Sequence, residues 1–568
     1  MSYVSRRDFL KFSASCLAVA GVSTLLTGCN PLGSQQQLSA VVFSHGVASG
    51  DASQSAIILW TRAIPTLATE NTITLAWQLA TDAEFSELVR SGQASTSAEK
   101  DFTVKIDVQQ LVAGQRYYYR FIAANGESRV GQTRTLPAEG LAPWKLAVFS
   151  CSNYPAGYFH VYREACKRQD LDAVVHLGDY IYEYPADGYA SEYAEQLGRT
   201  LAPDNTTETI SLTDYRKRYA LYRTDPDLQE LHATLPWYLV WDDHEISNDT
   251  WYSGAENHQP ETEGDFFVRR AAAVQAYYEW LPIRPPMGEE SIQIYRSFQC
   301  GDLASLYLLD TRLIARDQQL DYKDFIDPQS GAFATDAFRQ AMGAERALLG
   351  AEQLQWLSGQ LRGSKAKWQL LGQQVLMAKM HLPAELLAVT DYSTLPAKLQ
   401  DLTAAKQRVL LAQQQGRDPE PTDLARVSQL MPYNLDAWDG YPREREQLFA
   451  TAKMLNKPLV VLAGDTHNAW HSVLSDQHGE VVGVEFATAS VSSPGIEKYL
   501  SIAPEQAAGL AAAFQLLMPD LQWCNVHQRG FMVLDITAAE VQCHWQFIDS
   551  IVTPDYQPGA THQASFTG

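Results

Sequence analysis

Four stretches decide the fold: KLAVFSCSN (145–153), AVVHLGDYIY (173–182), WYLVWDDHE (237–245) and PLVVLAGDTHN (458–468). Each opens as a short apolar run, the composition of a strand covered on both faces, and breaks off at Cys, Asp, His, Tyr or Asn. Two more apolar runs, LASLYLLD (303–310) and WQLLG (368–372), lie between the third and the fourth. Helical stretches at 157–168, 211–232 and 264–280 separate several of them, and strands alternating with helices predict an α/β architecture. In an open α/β sheet, ligands collect beyond the carboxyl ends of the strands. One strand ending in Asp or Asn is an ordinary turn or helix cap. Four such ends, drawn from distant parts of the chain, predict one convergent site.

Residues 41–137 read differently. IILWTRA (57–63), ITLAWQLA (73–80), FTVKIDV (102–108) and QRYYYRFIAA (115–124) are short strands between polar turns. That spacing predicts a small β-sandwich of immunoglobulin or fibronectin type. The segment 384–430 is rich in Gln, Ala and Leu and reads as an inserted helical excursion. A chain of 568 residues exceeds what one hydrophobic core usually serves, and 46% hydrophobic residues argue against wholesale disorder. With 66 Asp+Glu against 44 Lys+Arg the net charge is -22, which repels nucleic-acid backbones and argues against duplex binding. A small phosphorylated substrate stays compatible, because bound cations invert the field locally.

At the N-terminus, Ser5-Arg6-Arg7-Asp8-Phe9-Leu10-Lys11 precedes an apolar stretch running into Leu26-Thr27-Gly28-Cys29. A basic segment before a short apolar one reads as an export signal over 1–29, too short and wrongly flanked for a retained spanning helix. The paired arginines resemble a twin-arginine signal. Leu-Thr-Gly-Cys resembles a lipobox that would acylate Cys29, with ordinary cleavage nearby as the alternative. The expected location is a bacterial cell envelope, reached through the twin-arginine machinery, with membrane contact only through a lipid at Cys29. Five cysteines remain beyond the signal: Cys151, Cys166, Cys300, Cys524 and Cys543. An odd number in an oxidising compartment leaves one unpaired, and Cys151, at a strand end, is the candidate. Cys300, Cys524 and Cys543 read as buried hydrophobes or a disulfide.

The motif order C-x-N (151–153), GDYIY (178–182), DDHE (242–245) and GDTH (464–467) resembles the calcineurin-like and purple-acid-type phosphoesterases. Cys for their first Asp, and Asp for the first His of their last motif, are departures shared with the alkaline phosphatase D (PhoD-like) family. GVASGD (46–51), LTDYRKRYALYRTDP (212–226), LLDTR (308–312) and GDTHNAW (464–470) resemble that family too. The likeness implies a catalytic domain over 144–550, a metallophosphoesterase-type sandwich of two β-sheets flanked by helices, behind the smaller β-sandwich. It also implies an exported, metal-dependent phosphoesterase acting on small phosphate mono- or diesters. A phospholipase D-like phosphodiesterase on the same site is one alternative. A non-catalytic envelope lipoprotein stabilised by cations is the other.

The residues themselves support that chemistry. Asp179 follows Gly178, which allows close backbone approach, and a carboxylate can bridge two cations. Tyr182, three residues on, falls on the same side if the loop enters a helical turn. A phenol of pKa about 10 binds as phenolate only to a strongly acidifying ion, which favours a trivalent metal. Cys151, Asp179, Tyr182 and His467 together suit iron, and the resemblance implies Fe(III). Asp243 and Asp465 with Asp179 offer only oxygen, which favours calcium or magnesium over zinc; the resemblance implies Ca(II). Gln374 is a weaker candidate ligand, with Gln373 its equal. Asn153 either meets the phosphate or second metal or is a turn residue. The resemblance places His244 at the leaving group, with Glu245 orienting it. Arg312 either binds phosphate through its planar fork or pairs with Asp310. His45, His160 and His176 are expected to pack. No Ser or Thr nucleophile is evident, so hydrolysis by a metal-activated water is expected.

Overall fold

The computed structural model describes residues 37–286, 292–387, 389 and 394–568. Arg6, Arg7 and Cys29, with the rest of the signal, lie outside them. Two large sheets carry the fold among the described residues. The first has nine strands, in the order β16 (Pro558–Phe566), β15 (Val541–Ile548), β14 (Arg529–Ile536), β4 (Trp144–Phe149), β5 (Ala173–His176), β6 (Pro236–Leu239), β1 (Val47–Gly50), β2 (Ile57–Arg62), β3 (Thr103–Val108). The second has seven: β7 (Arg296–Cys300), β8 (Ala304–Leu308), β9 (Trp368–Gly372), β10 (Leu459–Ala463), β12 (Val481–Ala487), β11 (Ala469–Ser475), β13 (Leu521–Asn525). Strands β4, β5 and β6 run parallel, as do β8, β9 and β10.

Side-chain alternation explains why these strands read as unbroken apolar runs. Leu306, Leu370, Val460 and Leu462 enter the core shared with the first sheet. Their neighbours Tyr307, Leu371, Leu459 and Val461 enter a second core, closed by Leu357, Leu402, Leu448 and Phe514 from surrounding helices. A strand with both faces covered has no polar alternation to show.

Two expectations change in detail. The helical stretch over 211–232 is two helices, α1 (Leu212–Tyr222) and α2 (Pro226–Thr234). Asp225 caps the second by accepting from the N–H groups of Asp227 and Leu228, and Pro226 starts it where no donor is needed. Strands form near all four expected places in 41–137, yet they do not close as a separate sandwich. Thr72–Ala80, Leu88–Ser97, Arg116–Ala123 and Gly131–Arg134 make one sheet, whereas β1, β2 and β3 extend the first large sheet. The junction is the GVASGD stretch, where Ser49 and Gly50 pair with Pro236 and Trp237. A Cβ on Gly50 would lie 2.4 Å from the Pro282 carbonyl oxygen, so the graft requires glycine there. The first sheet also continues past residue 550, through β16.

Candidate metal centre

The loops after β4, β5, β6 and β10 meet at one point. Two glycines permit the approach: a Cβ at Gly178 would stand 2.4 Å from the Asp242 Cβ, and one at Gly464 2.7 Å from the Ser150 Cβ. Cys151, Asp179, Asp465 and His467 all adopt left-handed backbone, with φ of 62°, 55°, 62° and 62°. Each such non-glycine residue costs about 1–3 kcal/mol and persists only where its surroundings hold it. Here Cys151 N–H donates to Gly178 O at 3.1 Å and Ser152 N–H to Asp179 O at 2.8 Å, lashing two of the loops together. Glu245 does the same for a third, accepting from the N–H groups of Asp179 (3.0 Å), Tyr180 (2.6 Å) and Asp242 (2.8 Å). Burial, reinforced by the Asp179 charge, pushes its carboxyl up to about 8 despite those donors. Glu245 therefore does not orient His244. That bond comes from Glu183, whose Oε2 lies 2.8 Å from His244 Nδ1.

On one side Cys151, Asp179 and His467 bring ligand atoms within 4.8 Å of one another. The Tyr182 hydroxyl donates to Asp179 Oδ2 at 3.0 Å and lies 3.2 Å from His467 Nε2. His467 Nδ1 is 2.7 Å from the Pro494 carbonyl and donates to it, which leaves Nε2 as the nitrogen offered to the site. Ser493 Oγ donates to the Tyr182 oxygen at 2.6 Å. Burial and the neighbouring Asp179 push both the Cys151 thiol and the Tyr182 phenol well above their ordinary values. Both protons leave readily only against a concentrated positive charge.

On the other side Asp179, Asp243 and His244 form one such group and Asp242, Asp243 and Asp465 another. Burial raises the Asp242 and Asp465 carboxyls well above the usual range. Burial acts on Asp243 too, but Arg312, His244 and the Asp249 N–H outweigh it and hold that carboxyl low. His244 is driven the other way: burial disfavours its charge, yet Asp243, Glu183 and Asp179 raise it well above an ordinary imidazole. On the loops of this centre Asp179 Oδ1, Asp242 Oδ2 and Asn153 Oδ1 are buried without a hydrogen-bond partner. Acceptors lacking donors, beside a thiol, a phenol and imidazoles, form a donor set that fits cations.

The six residues expected as ligands thus lie in one place, and other candidates have partners of their own. Arg312 is fully buried and its guanidinium is engaged by carboxylates: its Nε meets Asp242 Oδ1 (2.5 Å), Nη1 meets Asp436 Oδ1 (2.9 Å) and Nη2 meets Asp465 Oδ1 (3.1 Å). Asp310 instead accepts from the backbone N–H of Arg312 and Leu313. Gln374 engages its amide with Thr311, Trp241 and Leu309, and Gln373 bonds Val375 and Trp438. His176 shares a bond with the Tyr162 hydroxyl at 3.0 Å and stacks on Trp237, as expected of a packed ring. Cys166, Cys300, Cys524 and Cys543 are all free. Three residues of the site are not among the expected ones: Glu183, Asp436 and Tyr189, whose hydroxyl donates to the Pro494 carbonyl at 3.0 Å beside His467. Glu183 had a local signal, its place beside Tyr182; Asp436 had none.

Residues 146–545 match the PhoD-like phosphatase family, and residues 28–137 match the N-terminal domain of PhoD-like phosphatases. Alkaline phosphatase D of Bacillus subtilis (strain 168) is 34% identical over 570 residues, covering 96% of this chain and 85% of that protein. The solved structure of PhoD superposes with a TM-score of 0.72 at 30% identity, over 94% of this chain and 91% of that one. Likeness of sequence and of fold spans both parts of the molecule, and the chain belongs to the PhoD-like phosphatase family.

Proposed function

We propose that this phosphoric ester hydrolase is an exported enzyme acting on small phosphate esters, mono- or diester, at a two-cation centre. Iron would be held by Cys151, Asp179, Tyr182 and His467, and calcium by Asp243 and Asp465 with Asp179 between the two. The carrying observation is the convergence of a thiol, a phenol, an imidazole and a carboxylate at one point, with Asp179 common to both ligand groups. Bound there, such cations supply Lewis acidity toward phosphoryl oxygens and acidify a water nucleophile.

The rest of the work falls to side chains. Asn153 offers a cation its buried amide oxygen, which has no other partner, while its Nδ2 donates to the Tyr189 carbonyl. Arg312 balances the carboxylates of the second pocket. His244, held by Glu183 at Nδ1, keeps its other nitrogen free to hand a proton to the departing alcohol. The two large sheets are read as the metallophosphoesterase-type sandwich, and residues 41–137 as the immunoglobulin- or fibronectin-like module fused to its edge.

Purified protein should hydrolyse chromogenic phosphate mono- or diesters and lose that activity on chelation of its metals. Failure on every ester by fully metal-loaded protein would sink the reading. For location, Arg6 and Arg7 changed together to Lys should block export, and Cys29→Ser should release the product from the membrane. Among the described residues no helix is long and apolar enough to cross a membrane. An unchanged membrane fraction for Cys29→Ser would refute the lipid anchor.

A further inference from the structure

We propose that Glu183 is a positioning residue for the leaving-group step, fixing the His244 ring and tying it to the loop at 248–257. This rests on the reading that His244 serves the leaving group. Glu183 is 0% exposed, and its carboxylate is fully committed. One oxygen faces His244 Nδ1 at 2.8 Å; the other accepts from the Asn248 N–H at 2.7 Å and from Asn257 Nδ2 at 3.1 Å. An ionised carboxylate only accepts, so Nδ1 must carry the proton and Nε2 becomes the nitrogen available for chemistry.

The ring is also walled in. The Tyr182 ring lies 4.2 Å from the imidazole centroid and the Tyr184 ring 5.4 Å away. Three consecutive residues therefore supply a candidate metal ligand, the carboxylate and a wall. The loop at 248–257 closes on itself through the Asn248 carbonyl, which accepts from the N–H groups of Glu256 (3.1 Å) and Asn257 (3.3 Å). Its Asp249 N–H donates to Asp243 Oδ2 at 2.6 Å. One loop thus holds the carboxylate of Asp243 directly and the ring of His244 through Glu183. A carboxylate that merely filled the core would need neither the aligned Nδ1 bond nor two donors on its second oxygen.

Glu183→Gln separates the two roles, because it keeps the shape while an amide turned to donate favours the opposite imidazole tautomer. In the metal-loaded enzyme, kcat on an alkyl phosphate ester should fall about 10–100-fold, the usual range for loss of such a supporting carboxylate. KM and metal content should stay unchanged, and an ester of an acidic phenol should lose much less. Glu183→Asp should recover part of the loss. The double variant Glu183→Gln/His244→Ala should be no slower than His244→Ala alone, since residues acting as a unit are not additive. Equal losses on both esters, or additive losses in the double variant, would overturn the assignment. If His244→Ala itself shows no leaving-group dependence, the reading of His244 fails first. If His244→Ala shows it and Glu183→Gln does not, only the inference about Glu183 fails.

Discussion

His244→Ala is expected to lower turnover of alkyl phosphate esters by about 10²–10⁴-fold, the range for a general acid or base, with both cations still bound. Three observations set that expectation. The imidazole lies with Asp179 and Asp243 in one group of ligand-competent atoms. Its Nδ1 is held by a buried carboxylate, which fixes the ring and leaves Nε2 as the nitrogen for chemistry. The surrounding charges of Asp243, Glu183 and Asp179 outweigh burial and favour the protonated ring, the form a leaving alkoxide needs. Esters of acidic phenols leave without help and should suffer least. A uniform loss across both classes would instead make His244 a phosphate-binding group. Depleted metal in the variant would make it a support for Asp243.

Asp179→Asn should remove both cations together and reduce hydrolysis to background. Asp179 is the one residue common to the Cys151–His467 group and the Asp243–His244 group. Its Oδ1 is buried with no partner, and its Oδ2 is met by the Tyr182 hydroxyl. Asparagine keeps the volume but removes the charge, and one of its two positions becomes a donor that cannot face a cation. Asp465→Asn provides the contrast, because Asp465 lies in only one of the ligand groups, with Asp242 and Asp243. That variant should lose the second cation and retain the first. Iron retained at full occupancy in Asp179→Asn would remove its bridging role.

Much of this centre was legible because its signals are local. A strand buried on both faces is an apolar run, and the residue that ends it is read off directly, as at Asp179 or Asp465. What depended on distant partners was not legible. Glu245 adjoins His244, yet the turn aims its carboxylate at three backbone N–H groups, and the orienting carboxylate is Glu183. Arg312 carries a fork suited to phosphate, but Asp242, Asp436 and Asp465, from three separate segments, claim it first. The left-handed backbone at Cys151 and His467 follows from loops lashed to one another, which no spacing in the sequence encodes. Four strands of 41–137 were legible, but Val47–Gly50, Leu88–Ser97 and Gly131–Arg134 were not, nor was the joining of β1, β2 and β3 to the first large sheet. That pairing is made by Ser49 and Gly50 of the fully buried β1 against Pro236 and Trp237 of β6.

The most direct test of the two-cation centre is elemental analysis of the purified protein alongside its visible spectrum. Iron and calcium should both be present, with an absorption band from phenolate and thiolate charge transfer that shifts or bleaches in Tyr182→Phe. Zinc alone, or a colourless protein that hydrolyses phosphate esters at full rate without iron, would contradict it.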